Sequence, residues 1–127
     1  MQCKSILVVE DQSDIREAMT DTLQTEGYDV YSASSGEQAL ELIGEIPYPP
    51  LILLDMMMPR TNGWEFLEMR KKDPKLADLP VVLVTAVNES DALVPRSGEV
   101  KAEGHLSKPI DVDSLLKVVS TYCNPSA

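Results

Sequence analysis

Leu51-Ile52-Leu53-Leu54 is an unbroken apolar run that ends on Asp55, with Pro49-Pro50 ahead of it and Pro59 behind. Apolar side chains at every position, rather than at every second one, need cover on both faces of a strand. The run therefore predicts a doubly buried strand with a carboxylate at its C-terminal tip. Ile6-Leu7-Val8-Val9 ends the same way on Glu10-Asp11, Val81-Val82-Leu83-Val84 ends on Thr85, and a shorter run ends on Lys108. Open α/β sheets bind their ligands at such tips. Carboxylates, a hydroxyl and an ammonium gathered on one sheet edge point to a divalent cation and a phosphoryl group.

Between these runs the apolar period changes to that of a helix. Ile15, Ala18, Met19, Thr22 and Leu23 share one stripe, with cap candidates at Gln12-Ser13-Asp14 and a stop at Gly27. A second strand is predicted over residues 28–33, where Tyr28, Val30 and Ser32 alternate with their neighbours. Ser34 or Ser35 then caps a helix bearing Ala39, Leu40 and Ile43, which ends before Pro47. After the Asp55 strand, a helix over residues 62–72 turns Phe66 and Leu67 inward and stops ahead of Asp73-Pro74, because the residue before proline avoids the helical region. Pro80 opens the fourth strand and residues 105–107 form a short fifth. The last helix runs from Asp111 or Val112 to about Cys123, with Val112, Leu115, Leu116, Val119 and Tyr122 on one stripe. Five strands alternating with five helices predict an α/β fold, a doubly wound five-stranded parallel sheet with helices on both faces.

Composition narrows the function. A length of 127 residues suits one domain, residues 1–127, with a core over about 5–123. The net charge of −10 repels nucleic-acid backbones and anionic membranes, so direct binding to either is not expected. No apolar stretch approaches the roughly 18 residues that span a bilayer. The N-terminus enters a strand with no signal-peptide core, and a cytoplasmic location is expected. Cys3 and Cys123, at opposite ends of the chain, read as free thiols.

Glu10, Asp11 and Asp55 project from neighbouring tips if the first and third strands are adjacent. Three crowded carboxylates repel one another unless a cation intervenes. Mg²⁺ suits them: it takes oxygen ligands octahedrally, keeps several waters, and combines one or two carboxylates with phosphate. Lys108 supplies a compact charge able to neutralise a phosphate, and Pro109 fixes the turn behind it.

With Glu10-Asp11, Asp55 followed by Met58-Pro59 and Gly63, Thr85-Ala86 and Lys108-Pro109 in this order, residues 5–123 resemble the receiver domain of bacterial response regulators. The resemblance implies the chemotaxis-regulator fold, with strand order 2-1-3-4-5. It also implies that Asp55 is the phosphoacceptor, attacking a phosphohistidine on a histidine kinase or a histidine phosphotransfer protein. Glu10, Asp11, Asp55 and the backbone carbonyl of Met57 are implied ligands of Mg²⁺, Asp11 directly and Glu10 through water. Thr85 and Lys108 are each implied to bind a phosphoryl oxygen. The output face is then the fourth helix, fifth strand and fifth helix. By the same resemblance, Met57 and Val87 flank the approach of hydrolytic water; neither hydrogen-bonds usefully, so slow self-dephosphorylation is expected.

Departures from the family lie late in the chain. His105 stands where an aromatic switch residue is usual, and it can swing and titrate near neutral pH. Pro95 and Gly98 interrupt the fourth helix, and the step from Thr85 to Lys108 is one residue longer than usual. Rival readings were weighed on chemistry. A haloacid-dehalogenase-type phosphohydrolase needs an acid two positions beyond its nucleophile, where this chain has Met57. A flavodoxin-like module needs a phosphate loop where Glu10-Asp11-Gln12-Ser13-Asp14 would repel phosphate. A phosphorylation-independent docking module keeps the fold but leaves the full residue set unexplained. The last helix lacks the basic stripe of receivers that dimerise through that face, so a monomer is expected, and not a turnover enzyme. A single-domain regulator or phosphorelay intermediate is favoured over a receiver excised from a hybrid kinase.

Overall fold

The computed structural model describes residues 5–46, 50–55, 68–69, 72, 79–86, 104–108 and 110–122. Its elements run β1 (Ser5–Val9), α1 (Ser13–Thr25), β2 (Asp29–Ala33), α2 (Gly36–Ile43), β3 (Leu51–Asp55), β4 (Val81–Ala86), β5 (Gly104–Lys108) and α3 (Val112–Tyr122). The strands form one parallel sheet in the order β2-β1-β3-β4-β5. This is the expected order, with the Asp55 strand in the middle.

Alternation along the strands explains why the central runs are apolar throughout. Leu7, Val9, Ile52, Leu54, Val81 and Leu83 pack on one face with Ala39 of α2, flanked by half-buried Leu40 and Ile43. Ile6, Val8, Leu51, Leu53, Val82 and Val84 pack on the other face with Met19 and Leu23 of α1 and Leu115 and Val119 of α3. A polar residue anywhere in residues 6–9 or 51–54 would therefore point into a core. Each such aliphatic side chain contributes about 1.5–3 kcal/mol by leaving water. Sliding β3 by one residue would exchange its two faces and lift Asp55 out of line.

Local signals set the helix ends. α1 stops in a Schellman turn: Tyr28 N–H donates to the Leu23 carbonyl (3.2 Å) and Gly27 N–H to the Gln24 carbonyl (3.0 Å). Gly27 holds φ 98°, a left-handed conformation that only glycine adopts without strain. Tyr28 and Leu23 are then buried together in one core. Glu68, Met69 and Lys72 are helical, as the reading of residues 62–72 requires, and Met69 joins the α2 face. Phe66, Leu67 and residues 87–103 lie outside the described residues, so the interrupted fourth helix does too.

Four expectations differ from the structure. Val112 is not on the buried stripe of the last helix but 52% exposed. Ala18, given to the inward stripe of α1, is exposed as well. Val112 is the first residue of α3, so it stands ahead of the turns that bury Leu115 and Val119. With Ile15, Ala18, Ile110 and Leu115 it borders an open apolar cleft of about 290 Å³ between α1 and α3. Finally, β2 begins at Asp29 rather than Tyr28, while β5 is one residue longer at each end than residues 105–107.

Candidate metal and phosphoryl site

Register brings the strand tips level. Val9 pairs with Leu54, so Glu10 takes the next step alongside Asp55. Asp55 pairs with Val84 on its other side, and Thr85 follows at once. Thr85 pairs with Ser107 and Ala86 with Lys108, while His105 sits further back, opposite Leu83. Thr85 and Lys108 thus reach the same sheet edge as Asp55 by backbone position. Met57 and Val87 lie outside the described residues.

Glu10, Asp11 and Asp55 come together as the sequence predicts. One carboxylate oxygen from each lies within 4.8 Å of the other two. Glu10 and Asp55 are 1% and 2% exposed, whereas Asp11 is half-buried. Oxygens this close need only small side-chain adjustments to share one hard divalent cation, directly or through its bound waters. Hard oxygen donors carrying negative charge suit such a cation, which would lower the repulsion among carboxylates held this close together.

The turn from β1 to α1 carries two of these acids and is held from several sides. Glu10 N–H donates to the Ala33 carbonyl of β2 (3.0 Å), which extends the ladder one residue past β1. Gln12 N–H donates to Glu10 Oε2 (3.2 Å), turning that carboxylate back over the loop. Arg16 Nη1 donates to the Glu10 carbonyl oxygen (2.8 Å) from the second turn of α1. Sequence reasoning passed over Arg16: a side chain bonding a carbonyl six residues back follows neither helical nor strand period. Cap candidates were read at Gln12-Ser13-Asp14, and Gln12 occupies the N-cap without a side-chain cap bond.

The residues 6–120 match the family model of the response regulator receiver domain. Sporulation initiation phosphotransferase F of Bacillus subtilis is 34% identical over 122 residues, covering 96% of this chain and 95% of that protein. The phosphate regulon transcriptional regulatory protein PhoB of Klebsiella pneumoniae is 35% identical over 127 residues. The match takes in 98% of this chain but only 55% of PhoB, so the chain spans about half of that relative. Among solved structures, chemotaxis protein CheY4 of Vibrio cholerae superposes with a TM-score of 0.80 at 27% identity, covering 94% of this chain and 98% of that one.

Proposed function

The chain belongs to the response regulator receiver domains, the phosphoacceptor modules of two-component signalling, and from that premise we propose that Asp55 is the residue phosphorylated. A carboxylate oxygen of Asp55 attacks the phosphorus of a phosphohistidine; the P–N bond breaks, the imidazole leaves, and an aspartyl phosphate remains. Glu10, Asp11, Asp55 and the Met57 carbonyl would hold Mg²⁺, which when bound would lower the charge on the phosphoryl group. The Thr85 hydroxyl and the Lys108 ammonium each take a phosphoryl oxygen, so the protein mostly positions the group. His105 is the proposed switch residue, coupling Thr85 to an output face built around β5 and α3. The donor is a histidine kinase or histidine phosphotransfer protein. Residues 1–127 act as one receiver domain that takes up and passes on a phosphoryl group. The match along nearly the whole of a sporulation phosphotransferase supports that reading.

One observation carries the proposal: two buried carboxylates and a half-buried third meet at the tips of adjacent parallel strands. The experiment is calorimetric titration with beryllofluoride, a phosphoryl mimic, with and without Mg²⁺. Trp64, the only tryptophan, supplies a second signal. Binding is expected only with Mg²⁺ and only in the parent protein; equal binding by Asp55→Asn would refute the site. Because Met57 and Val87 offer no group to orient water, the phosphoryl group should be long-lived. Loss of radiolabel should accelerate in the Met57→Asn, Val87→Glu double variant. A parent protein that already decays as fast would count against water exclusion.

A further inference from the structure

We propose that Arg16 is a positioning residue for the cation site, holding in place the turn that presents Glu10 and Asp11. The inference rests on the reading of that cluster as a Mg²⁺ site. Arg16 is the only lysine or arginine in residues 5–46, a stretch with ten acidic residues. Its guanidinium, half-buried, bonds the Glu10 backbone oxygen at 2.8 Å, while its own N–H donates to the Gln12 carbonyl at 3.0 Å. The second bond is the first backbone bond of α1, which any residue at 16 would make; the side chain adds the tie to Glu10, so the turn carrying Asp11 is held between the two. A charge-assisted bond to a carbonyl is stronger than a neutral one, and here it ties α1 to the last residue before the turn.

Two effects of Arg16 on cation binding have opposite signs, which makes the assignment testable. As a nearby positive charge it repels Mg²⁺, so its removal should tighten binding if charge is all that matters. As a clamp it holds two carboxylates in register, so its removal should weaken binding. Outer partners of metal ligands commonly change affinity by about 10–100-fold. The clamp should win, because the guanidinium points its bond at a carbonyl rather than into the cluster.

The experiment is Mg²⁺ titration of the parent, Arg16→Met and Arg16→Lys proteins by calorimetry, with thermal melting in EDTA alongside. Arg16→Met keeps the aliphatic stem and is expected to weaken Mg²⁺ binding about tenfold. Arg16→Lys, with one compact donor, should fall between, and Asp55 phosphorylation by acetyl phosphate should recover in both at saturating Mg²⁺. Unchanged or tighter binding in Arg16→Met overturns the proposal. If Arg16→Met does not fold, Arg16→Lys decides: weaker binding supports the clamp, and parent-like binding overturns it. A parent protein that binds no Mg²⁺ sinks the reading of the site itself, a result distinct from failure of the clamp alone.

Discussion

Two strand-to-helix turns lie side by side in the sheet and are built on opposite plans. After β2, Ser35 caps α2 by accepting from Gln38 N–H (3.1 Å), and Gln38 Oε1 accepts in return from Ser34 N–H (2.7 Å) and the Ser34 hydroxyl (3.0 Å). Each group serves the helix, much as a reciprocal capping box does. After β1, the carboxylate of Asp11 joins a cluster at the sheet edge, and the N-cap position goes to Gln12 without a side-chain bond. A helix start that forgoes its cap beside such a cluster is what a functional turn looks like: local stability is given up where chemistry needs the side chains. The guanidinium of Arg16 ties this turn to α1 in another way, through the Glu10 carbonyl.

The contrast breaks most clearly, if it is wrong, at Asp11. Asp11→Asn should reduce Mg²⁺ affinity by no less than the roughly tenfold that follows loss of an outer partner. Without Mg²⁺ its melting temperature should match or exceed that of the parent, since one of three crowded charges is gone. Calorimetry and a melt in EDTA measure both; a destabilised Asp11→Asn protein would make Asp11 a structural residue after all. Ser35→Ala should do the reverse. It should lower unfolding free energy by about 1 kcal/mol in urea denaturation and leave Mg²⁺ affinity within about twofold. A large loss of Mg²⁺ binding there would mean the two turns are not separable.

The smallest effect belongs to a third turn, ahead of α3. Asp111 Oδ2 accepts from the Ser114 hydroxyl and from Ser114 N–H (3.1 Å), and these bonds hold its carboxyl below the ordinary aspartate range. A carboxyl lowered on folding stabilises above its unfolded pKa, and the benefit disappears as pH falls through the folded one. The difference in melting temperature between the parent and Asp111→Ala should therefore be present at neutral pH and shrink below about pH 4. A difference independent of pH would show that the cap acts through packing alone.

Much of this architecture is readable from residue order, for physical reasons. Continuous apolar runs admit one placement, inside a sheet covered on both faces, and β1 and β3 follow to the residue. The meeting of Glu10, Asp11 and Asp55 needs only the adjacency of β1 and β3. Val112 escaped because a helical stripe says which side chains align, not where along the helix the sheet beneath it begins. Arg16 escaped because a bond from a side chain to a distant carbonyl leaves no period. The choice between Ser34 and Ser35 was likewise open until backbone angles separated them: Ser35, at φ −154° and ψ 165°, takes the N-cap, while Ser34 pairs with the Gln38 side chain.

The position of β3 in the middle of the sheet also shapes how such a domain can diversify. On one flank stand β1 and β2, with Glu10, Asp11 and their Arg16 clamp; on the other stand β4 and β5, with Thr85 and Lys108 at their ends. Each of the chain's departures from the family pattern (His105, Pro95, Gly98 and the added residue before Lys108) falls on the second side in sequence. None of them falls on the β1 turn or its acids. A lineage can therefore rewrite who listens to the signal while leaving alone the part that receives it.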